Sequence, residues 1–524
     1  MSETKRENWG SKLGLILAMA GNAVGLGNFW RFPYQAAKNG GGAFMVPYFI
    51  ALIFIGIPLM FVEWNLGKTG GKYGHGTLGP MVYLQARDKL KPKSALGVGA
   101  LAGGLAFAVV ILVNSYYNQI IGWTLGYTWL SLTGGYKDAA VSTVDVFLNY
   151  IGNPVNMIFW VIALAALGFA VMRGIQKGIE AWARVMMPLI YVFGVILIVK
   201  ALTLGSPVNP DWSPIKGLEF VWTPDFKSLN FGSALAATGQ IFFTLSLGMG
   251  IISNYASYLK ADDDIVLSGF TTIALNEFAE VILGGTIAIP IAFAFLGPDG
   301  IGQSVGLSFI SLPNVFRNMA GGQFFGGFWF LLLFFAGFTS AIAMYNYLVA
   351  LLEEDMGIKR STGALIVFAL YIIVGLPVGI EPTLIRGSTA YLDAVDFWVG
   401  NVFLVVLGLI EIVVTGWILG KKGLDQINKG SYWKLPKWYY TLFIQVAAPV
   451  LIIGFLVGYV VYLAGGGAVL GNSLKNIMSA SPWTMAGQIV VLAVLVLGVI
   501  QTNLSIRKKY PEEIAKNTVL VVKE

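Results

Sequence analysis

Apolar residues recur along this chain in runs of about twenty, separated by short polar stretches, from Leu13 almost to the end. A run of that length fits a helix crossing a hydrocarbon core. The pattern predicts twelve spans, near residues 12–36, 42–68, 95–130, 155–172, 178–203, 232–259, 266–296, 324–353, 361–380, 388–420, 438–464 and 484–506. Two of them are interrupted. Gly21-Asn22-Ala23-Val24-Gly25-Leu26-Gly27-Asn28 places three glycines and two asparagines inside the first run, and Thr244-Leu245-Ser246-Leu247-Gly248-Met249-Gly250 breaks the sixth. Glycine inside a helix costs about 1 kcal/mol relative to alanine, and irregular backbone at membrane depth persists only where protein or an aqueous cavity covers it. Each break is therefore a candidate binding point. Its freed carbonyls can coordinate a cation, while N–H groups opening the next half-helix can meet an anion, a pairing that suits a zwitterion accompanied by a metal ion. Close helix packing is the other use of such glycines. Two clusters at equivalent positions, each with hydrogen-bonding residues, favour binding.

The breaks open successive sets of five spans. Five is odd, so the second set enters the membrane from the opposite side, which predicts an all-α polytopic membrane protein with a 5+5 inverted repeat and helices 1 and 6 unwound at the midplane. Residues 1–203 then form the first repeat, 204–231 an extracellular loop, 232–420 the inverted repeat, 421–506 two peripheral spans and 507–524 a cytoplasmic tail. The long connections 131–154, 204–231 and 297–323 fall outside, where one of them could form a lid.

Composition agrees with this. With 524 residues, 56% hydrophobic and 12% charged, the chain is too apolar for a soluble domain. Lys5, Arg6, Lys12, Arg87, Lys89, Lys91, Lys93, Arg173, Lys177, Lys421, Lys422, Arg507, Lys508 and Lys509 fall on one side if both termini are cytoplasmic, which sets the orientation. Basic loops facing an anionic leaflet also account for the formal charge of +7 without a nucleic-acid partner. The short polar N-terminus and the lack of a small-residue cleavage site predict no removed signal peptide. There is no cysteine, and the one histidine, His75 in Gly74-His75-Gly76, offers a single donor where a metal site needs several. Paired catalytic groups are missing as well, which leaves no basis for a membrane enzyme.

Helical spacing groups the polar residues inside the spans. Ala336, Thr339 and Ser340 share one face of span 8, and their two hydroxyls and carbonyl, opposite the carbonyls of Gly21 and Val24, could ligate a hard cation such as sodium. The same hydroxyls could instead bond back to their own helix. Asn276 and Glu280 share a face of span 7, and an intramembrane carboxylate is a functional candidate by default. Glu63 and Glu411 sit inside apolar runs, where they are weighted as hydrogen-bond partners for unwound backbone. Val113 and Tyr117 share a face of span 3, with a core tyrosine as the plainer alternative. Arg31 and Asp396 lie at the outer ends of spans 1 and 10, where opposite charges could close a gate. An exposed pair contributes only about 0–1 kcal/mol, which suits a gate that must open.

These residues carry a resemblance. The stretches Gly21 to Pro33 (GNAVGLGNFWRFP), Asn39 to Phe44 (NGGGAF), Gly239 to Gly248 (GQIFFTLSLG), Leu275-Asn276-Glu277 and Phe335 to Ser340 (FAGFTS) resemble the neurotransmitter:sodium symporters, above all their bacterial LeuT-like amino-acid members, over close to the whole chain. The resemblance implies two sodium ions: one held by Ala23, Asn28, Thr244 and Asn276 with the substrate carboxylate, the other by Gly21, Val24, Ala336, Thr339 and Ser340. It implies substrate contacts from Asn22, Ala23, Gly25, Leu26, Val113, Tyr117, Phe243, Thr244, Ser246, Met249, Ser340 and Met344, with Phe243 and Tyr117 as an aromatic lid. Arg31 with Asp396 resembles the outer gate, and Arg6 with Glu354, beside Asp355, the inner one. Glu280 stands where chloride-dependent relatives have a neutral residue, which implies a fixed carboxylate in place of the anion. Gly25 stands where monoamine carriers have an aspartate, leaving room for a substrate carboxylate. Met249 and Met344 depart from the aromatic and β-branched residues of leucine-carrying relatives, and methionine repacks around varied side chains. Gly178 and Pro188 are spaced as in the family, which implies local unwinding in span 5.

The expected activity is sodium-coupled import of a neutral, mostly hydrophobic L-amino acid by alternating access, independent of chloride. The bacterial inner membrane is the implied location. Proton coupling and a substrate-sensing receptor on the same scaffold remain alternatives, and a homodimer is left open.

Overall fold

The computed structural model describes residues 7–297, 307–464 and 481–519. In chain order its principal helices are α1 (Lys12–Ala23), α2 (Gly27–Lys38), α3 (Gly42–Lys72), α4 (Leu78–Ala86), α5 (Pro92–Thr133), α6 (Asn156–Met172), α7 (Ile175–Leu202), α8 (Phe231–Thr244), α9 (Ile251–Ala256), α10 (Ile265–Leu296), α11 (Gly322–Met356), α12 (Arg360–Leu384), α13 (Ala390–Leu419), α14 (Lys421–Asn428), α15 (Lys437–Val461), α16 (Pro482–Lys509) and α17 (Pro511–Lys516). Shorter helices at Thr143–Ile151, Pro214–Trp222 and Leu312–Asn318 lie in the long connections.

Among the described residues, nine helices are long and apolar enough to cross a membrane, or up to eleven if two bent pairs each count as one. The breaks expected in the first and sixth spans are both present, and the fourth span is the one that departs from expectation. The first is α1 plus α2, bent by 47°. The fourth is the 17-residue α6, meeting Thr143–Ile151 at 66°. The sixth is divided into α8 and α9 by residues 245–250. Residues 465–480, between the eleventh and twelfth expected spans, and parts of the connection 297–323 and of the tail lie outside the described residues.

The longest helix, α5, has 42 residues, about 63 Å at 1.5 Å per residue, enough to cross the bilayer and extend beyond it. It packs against α4, α6, α11, α12 and α16 and forms the central pillar. Its end is local: Gly134 takes φ 78° and turns its N–H back to the Leu130 carbonyl. α1 begins as cleanly, because the Ser11 hydroxyl accepts the Gly14 N–H at 2.9 Å.

The second break has a backbone cause. Ser246, Gly248 and Gly250 take φ of 56°, 67° and 75°, the left-handed region that ends a right-handed helix. A Cβ on Gly248 would lie 2.0 Å from the Leu404 carbonyl of α13, so no larger residue fits. The freed Gly248 N–H donates to Glu63 Oε1 of α3 at 2.7 Å. Glu63 therefore satisfies unwound backbone, the role weighted for it from sequence. Glu411 is fully buried against it.

The unwinding anticipated between Gly178 and Pro188 is not present in this structure: α7 is continuous, with its first turn widened over Ile175–Glu180. The N-terminal segment holds that turn. Glu7 accepts the Ile175 N–H at 2.6 Å, and Glu180 accepts the Gly10 N–H at 2.8 Å and the Ser11 hydroxyl at 3.1 Å.

At the same end of the molecule α17 folds back on α4. Tyr83 donates to Glu513 at 3.0 Å, Arg87 forms an ion pair with Glu513, and His75 lies 2.5 Å from the Tyr510 hydroxyl. A small second core of Tyr83, Ala86, Ala95, Leu96, Ile506 and Ile514 closes beneath them.

Candidate transport site

The two breaks meet. A cavity between them is lined by Ala23, Gly25, Gly27, Asn28, Val113, Tyr117, Phe243, Thr244, Ser246, Met249, Ser340 and Met344. Every sequence-derived substrate residue is in this set except Asn22 and Leu26, and the structure adds Gly27 and Asn28. The two exceptions act through backbone. The Asn22 carbonyl accepts the hydroxyls of Ser246 at 2.9 Å and Ser340 at 3.0 Å, tying α1 to the second break and to α11. Leu26 donates its N–H to the Tyr117 hydroxyl at 2.8 Å. Tyr117 is therefore more than a core ring, because it satisfies a donor that the first break sets free. Gly25 lies so close that a Cβ there would sit 2.6 Å from the same hydroxyl.

Asn28 is the hub of one wall. Its Oδ1 accepts the Gly25 N–H at 2.8 Å, and its Nδ2 donates to Thr244 Oγ1 at 3.1 Å, Asn276 Oδ1 at 2.9 Å and Glu280 Oε2 at 3.0 Å. The Thr244 hydroxyl and the Asn276 amide oxygen thus meet at the Asn28 amide, and oxygens of this kind fit a hard monovalent cation. Glu280 lies behind them, fully buried. It also accepts from Gln240 Nε2 at 2.9 Å and from the Thr244 hydroxyl. Gln240 was not singled out from sequence. Its place four residues before Thr244, on the same helical face, was the available signal. Glu277 likewise accepts from Tyr48 at 2.8 Å, and Asn276 Nδ2 lies 3.3 Å from it.

The residues expected to hold the second ion lie on α1, just past its end, and on α11. A Cβ on Gly21 would be 3.0 Å from Thr339 Cβ, so α1 and α11 are in close contact here. Thr339 donates to the Phe335 and Ala336 carbonyls of its own helix at 3.0 and 3.1 Å, as the plainer sequence alternative allows. Donation uses the hydroxyl's one proton, and its two lone pairs stay available to a cation. Val24 and Ala336 are fully buried, with Val24 just past the end of α1.

The outer gate pair is not made in this structure. The Arg31 guanidinium turns to α8, donating to the Gly239 carbonyl at 3.3 Å and Gln240 Oε1 at 3.1 Å, and lies 4.9 Å from the Phe243 ring centre. Asp396 instead accepts from the buried Tyr116 hydroxyl at 2.6 Å, so each charge is satisfied by a nearer group. Gln240 consequently bridges Arg31 to Glu280. Of the inner pair, Arg6 lies outside the described residues, while Glu354 accepts the Gly76 N–H at 2.7 Å.

An oxygen-lined cavity between two broken helices in an all-helical membrane fold defines a secondary transporter of the LeuT-like class. The chain belongs to the sodium:neurotransmitter symporter family, which it matches over residues 6–143 and 148–500. It is similar to an uncharacterised sodium-dependent transporter of Methanocaldococcus jannaschii, 32% identical over 470 residues, covering 86% of this chain and 90% of that one. Another, YhdH of Bacillus subtilis, is 33% identical over 411 residues, covering 77% and 86%. Among solved structures, MhsT in complex with L-phenylalanine superposes with a TM-score of 0.73 at 29% identity, covering 86% of this chain and 99% of that one. The protein is a multi-pass, sodium-dependent membrane transporter and not an enzyme.

Proposed function

We propose that this protein imports a neutral, mostly hydrophobic L-amino acid with sodium by alternating access and does not require chloride. The observation that carries the proposal is the Asn28 hub, where one side chain links the unwound first span to Thr244, Asn276 and Glu280 around the cavity. A substrate carboxylate placed near Gly25 would complete the cation's oxygen shell, which couples ion and substrate binding directly. Two ions are proposed, one at Ala23, Asn28, Thr244 and Asn276 and the other at Gly21, Val24, Ala336, Thr339 and Ser340. Glu280 supplies a fixed negative charge where a mobile anion would otherwise sit. Val113, Met249 and Met344 form an apolar wall for the substrate side chain, and the L-phenylalanine bound in MhsT is of the class such a wall accepts. Both termini are placed in the cytoplasm and the protein in a bacterial inner membrane.

The test is a scintillation-proximity competition panel over the twenty amino acids, with and without sodium. Displacement by several large apolar amino acids, only with sodium present, is the expected result. Uptake into proteoliposomes that persists without sodium under a proton gradient would overturn the ion assignment. Binding without exchange across the bilayer would overturn transport.

A further inference from the structure

The connection between α13 and α15 carries an exposed cluster that the transport site does not use. Within residues 420–438, Tyr432, Trp433 and Trp438 are 83%, 57% and 63% exposed, and Lys421, Lys422, Lys429, Lys434 and Lys437 are exposed as well. The backbone beneath is fixed rather than loose. Asn428 and Leu435 exchange hydrogen bonds at 2.7 and 3.0 Å, Ser431 donates to the Ile427 carbonyl at 2.9 Å, and the Tyr432 N–H donates to Asp264 at 2.8 Å. The aromatic rings are thus held outward. The chain turns into the membrane immediately afterwards: α15 begins at Lys437, and Leu442, Val446 and Val450 present exposed apolar side chains along it. That places the two tryptophans and the tyrosine at headgroup depth, where amphipathic rings concentrate.

Five acids lie at this level, Asp88, Asp262, Asp263, Asp264 and Asp425, against nine lysines once Lys68, Lys72, Lys89 and Lys260 are added to the five above. Lys422 is paired with Asp88, and Asp264 accepts the Val266, Leu267 and Tyr432 N–H groups. Asp425 is the remaining acid on α14, whereas Lys421, Lys429, Lys434 and Lys437 make no ion pair within 4 Å among the described residues. We propose that this lysine and tryptophan cluster is a binding surface for anionic phospholipid headgroups. The phosphates meet the free ammonium groups, and the indoles enter between neighbouring lipids. The assignment to the cytoplasmic leaflet rests on the orientation proposed above. The surface is joined to α3, since Asn65 donates to Gln426 at 3.1 Å and Lys68 donates to the Asp263 and Lys429 carbonyls at 2.9 and 2.5 Å.

The test uses the full chain in nanodiscs of mixed phosphatidylglycerol and phosphatidylcholine. Native mass spectrometry reads the retained lipid, and tryptophan quenching compares brominated forms of the two lipids. The wild type is expected to retain phosphatidylglycerol preferentially and to be quenched more by its brominated form. K421Q/K429Q/K434Q/K437Q should lose that preference by about tenfold or more, since each lysine near an anionic surface contributes roughly a factor of five. The all-arginine counterpart should keep it, which controls for folding, and W433F/W438F should remove the lipid-dependent share of the quenching. Equal phosphatidylglycerol retention by wild type and the glutamine variant, or quenching without lipid preference, would overturn the proposal. Because the chain has no cysteine, K434C reports sidedness with an impermeant maleimide. Labelling in intact cells would overturn the orientation and leave a measured lipid preference standing.

Discussion

Glu280→Ser separates a structural carboxylate from one that stands in for an anion. Glu280 accepts from Gln240 at 2.9 Å, from Asn28 at 3.0 Å and from the Thr244 hydroxyl. A serine hydroxyl reaches less far and satisfies one donor at most, so at least two buried donors lose a charged acceptor. Each orphaned donor costs roughly 1–3 kcal/mol, about 2–6 kcal/mol together. Asn28 and Thr244 also belong to the proposed sodium site, so part of that loss falls on the ion. A share of 1.4–3 kcal/mol is roughly a 10- to 150-fold loss of sodium affinity. Chloride entering the vacated space would accept from the same donors and recover most of it. The assay is uptake of a labelled amino acid into proteoliposomes as a function of sodium, in chloride and in gluconate. The wild type should give one curve in both salts, and the variant should shift to about tenfold or more higher sodium in gluconate and return toward wild type in chloride. Identical variant curves in the two salts, or chloride-stimulated uptake by the wild type, would refute the reasoning.

Three further outcomes follow from named contacts. Gly25→Ala places a Cβ 2.6 Å from the Tyr117 hydroxyl and disturbs its bond to the Leu26 N–H, so substrate affinity should fall by at least about tenfold at unchanged expression; an unaffected binding isotherm would remove Gly25 from the site. Thr339→Ala with Ser340→Ala deletes both hydroxyls facing α1 and should raise the sodium needed for half-maximal substrate binding by roughly tenfold, whereas an unchanged sodium dependence would sink the second ion site. Glu513→Ala leaves Arg87 and Tyr83 without their shared acceptor and should lower thermal stability by about 1–3 kcal/mol, read as a Tm shift in detergent, with little effect on the apparent substrate Kd.

Much of this was readable along the chain because its causes are local. Runs of twenty apolar residues, glycines where a helix must stop, and polar pairs at i and i+4 need no knowledge of distant residues. They locate both breaks, put Thr339 and Ser340 on one helical face and Asn276 and Glu280 on another, and mark Glu63 as a partner for loose backbone. The number of continuous helices was less legible, since the fourth span is only the 17-residue α6, which meets Thr143–Ile151 at 66°.

Tertiary structure decided which groups satisfy one another. Asn28 meets Thr244, Asn276 and Glu280 across more than two hundred residues, and Gln240 bridges Glu280 to Arg31, a link with only a weak trace in local spacing. It also decided that Asp396 is held by Tyr116 rather than by Arg31, and that the C-terminal helix closes on Tyr83 and Arg87. Buried polar groups with no water at hand take whichever partner packing brings within about 3 Å, and that choice is made by helices far apart in sequence. The sequence determined where the backbone breaks and what chemistry it carries there; the packed helices determined which of those groups meet.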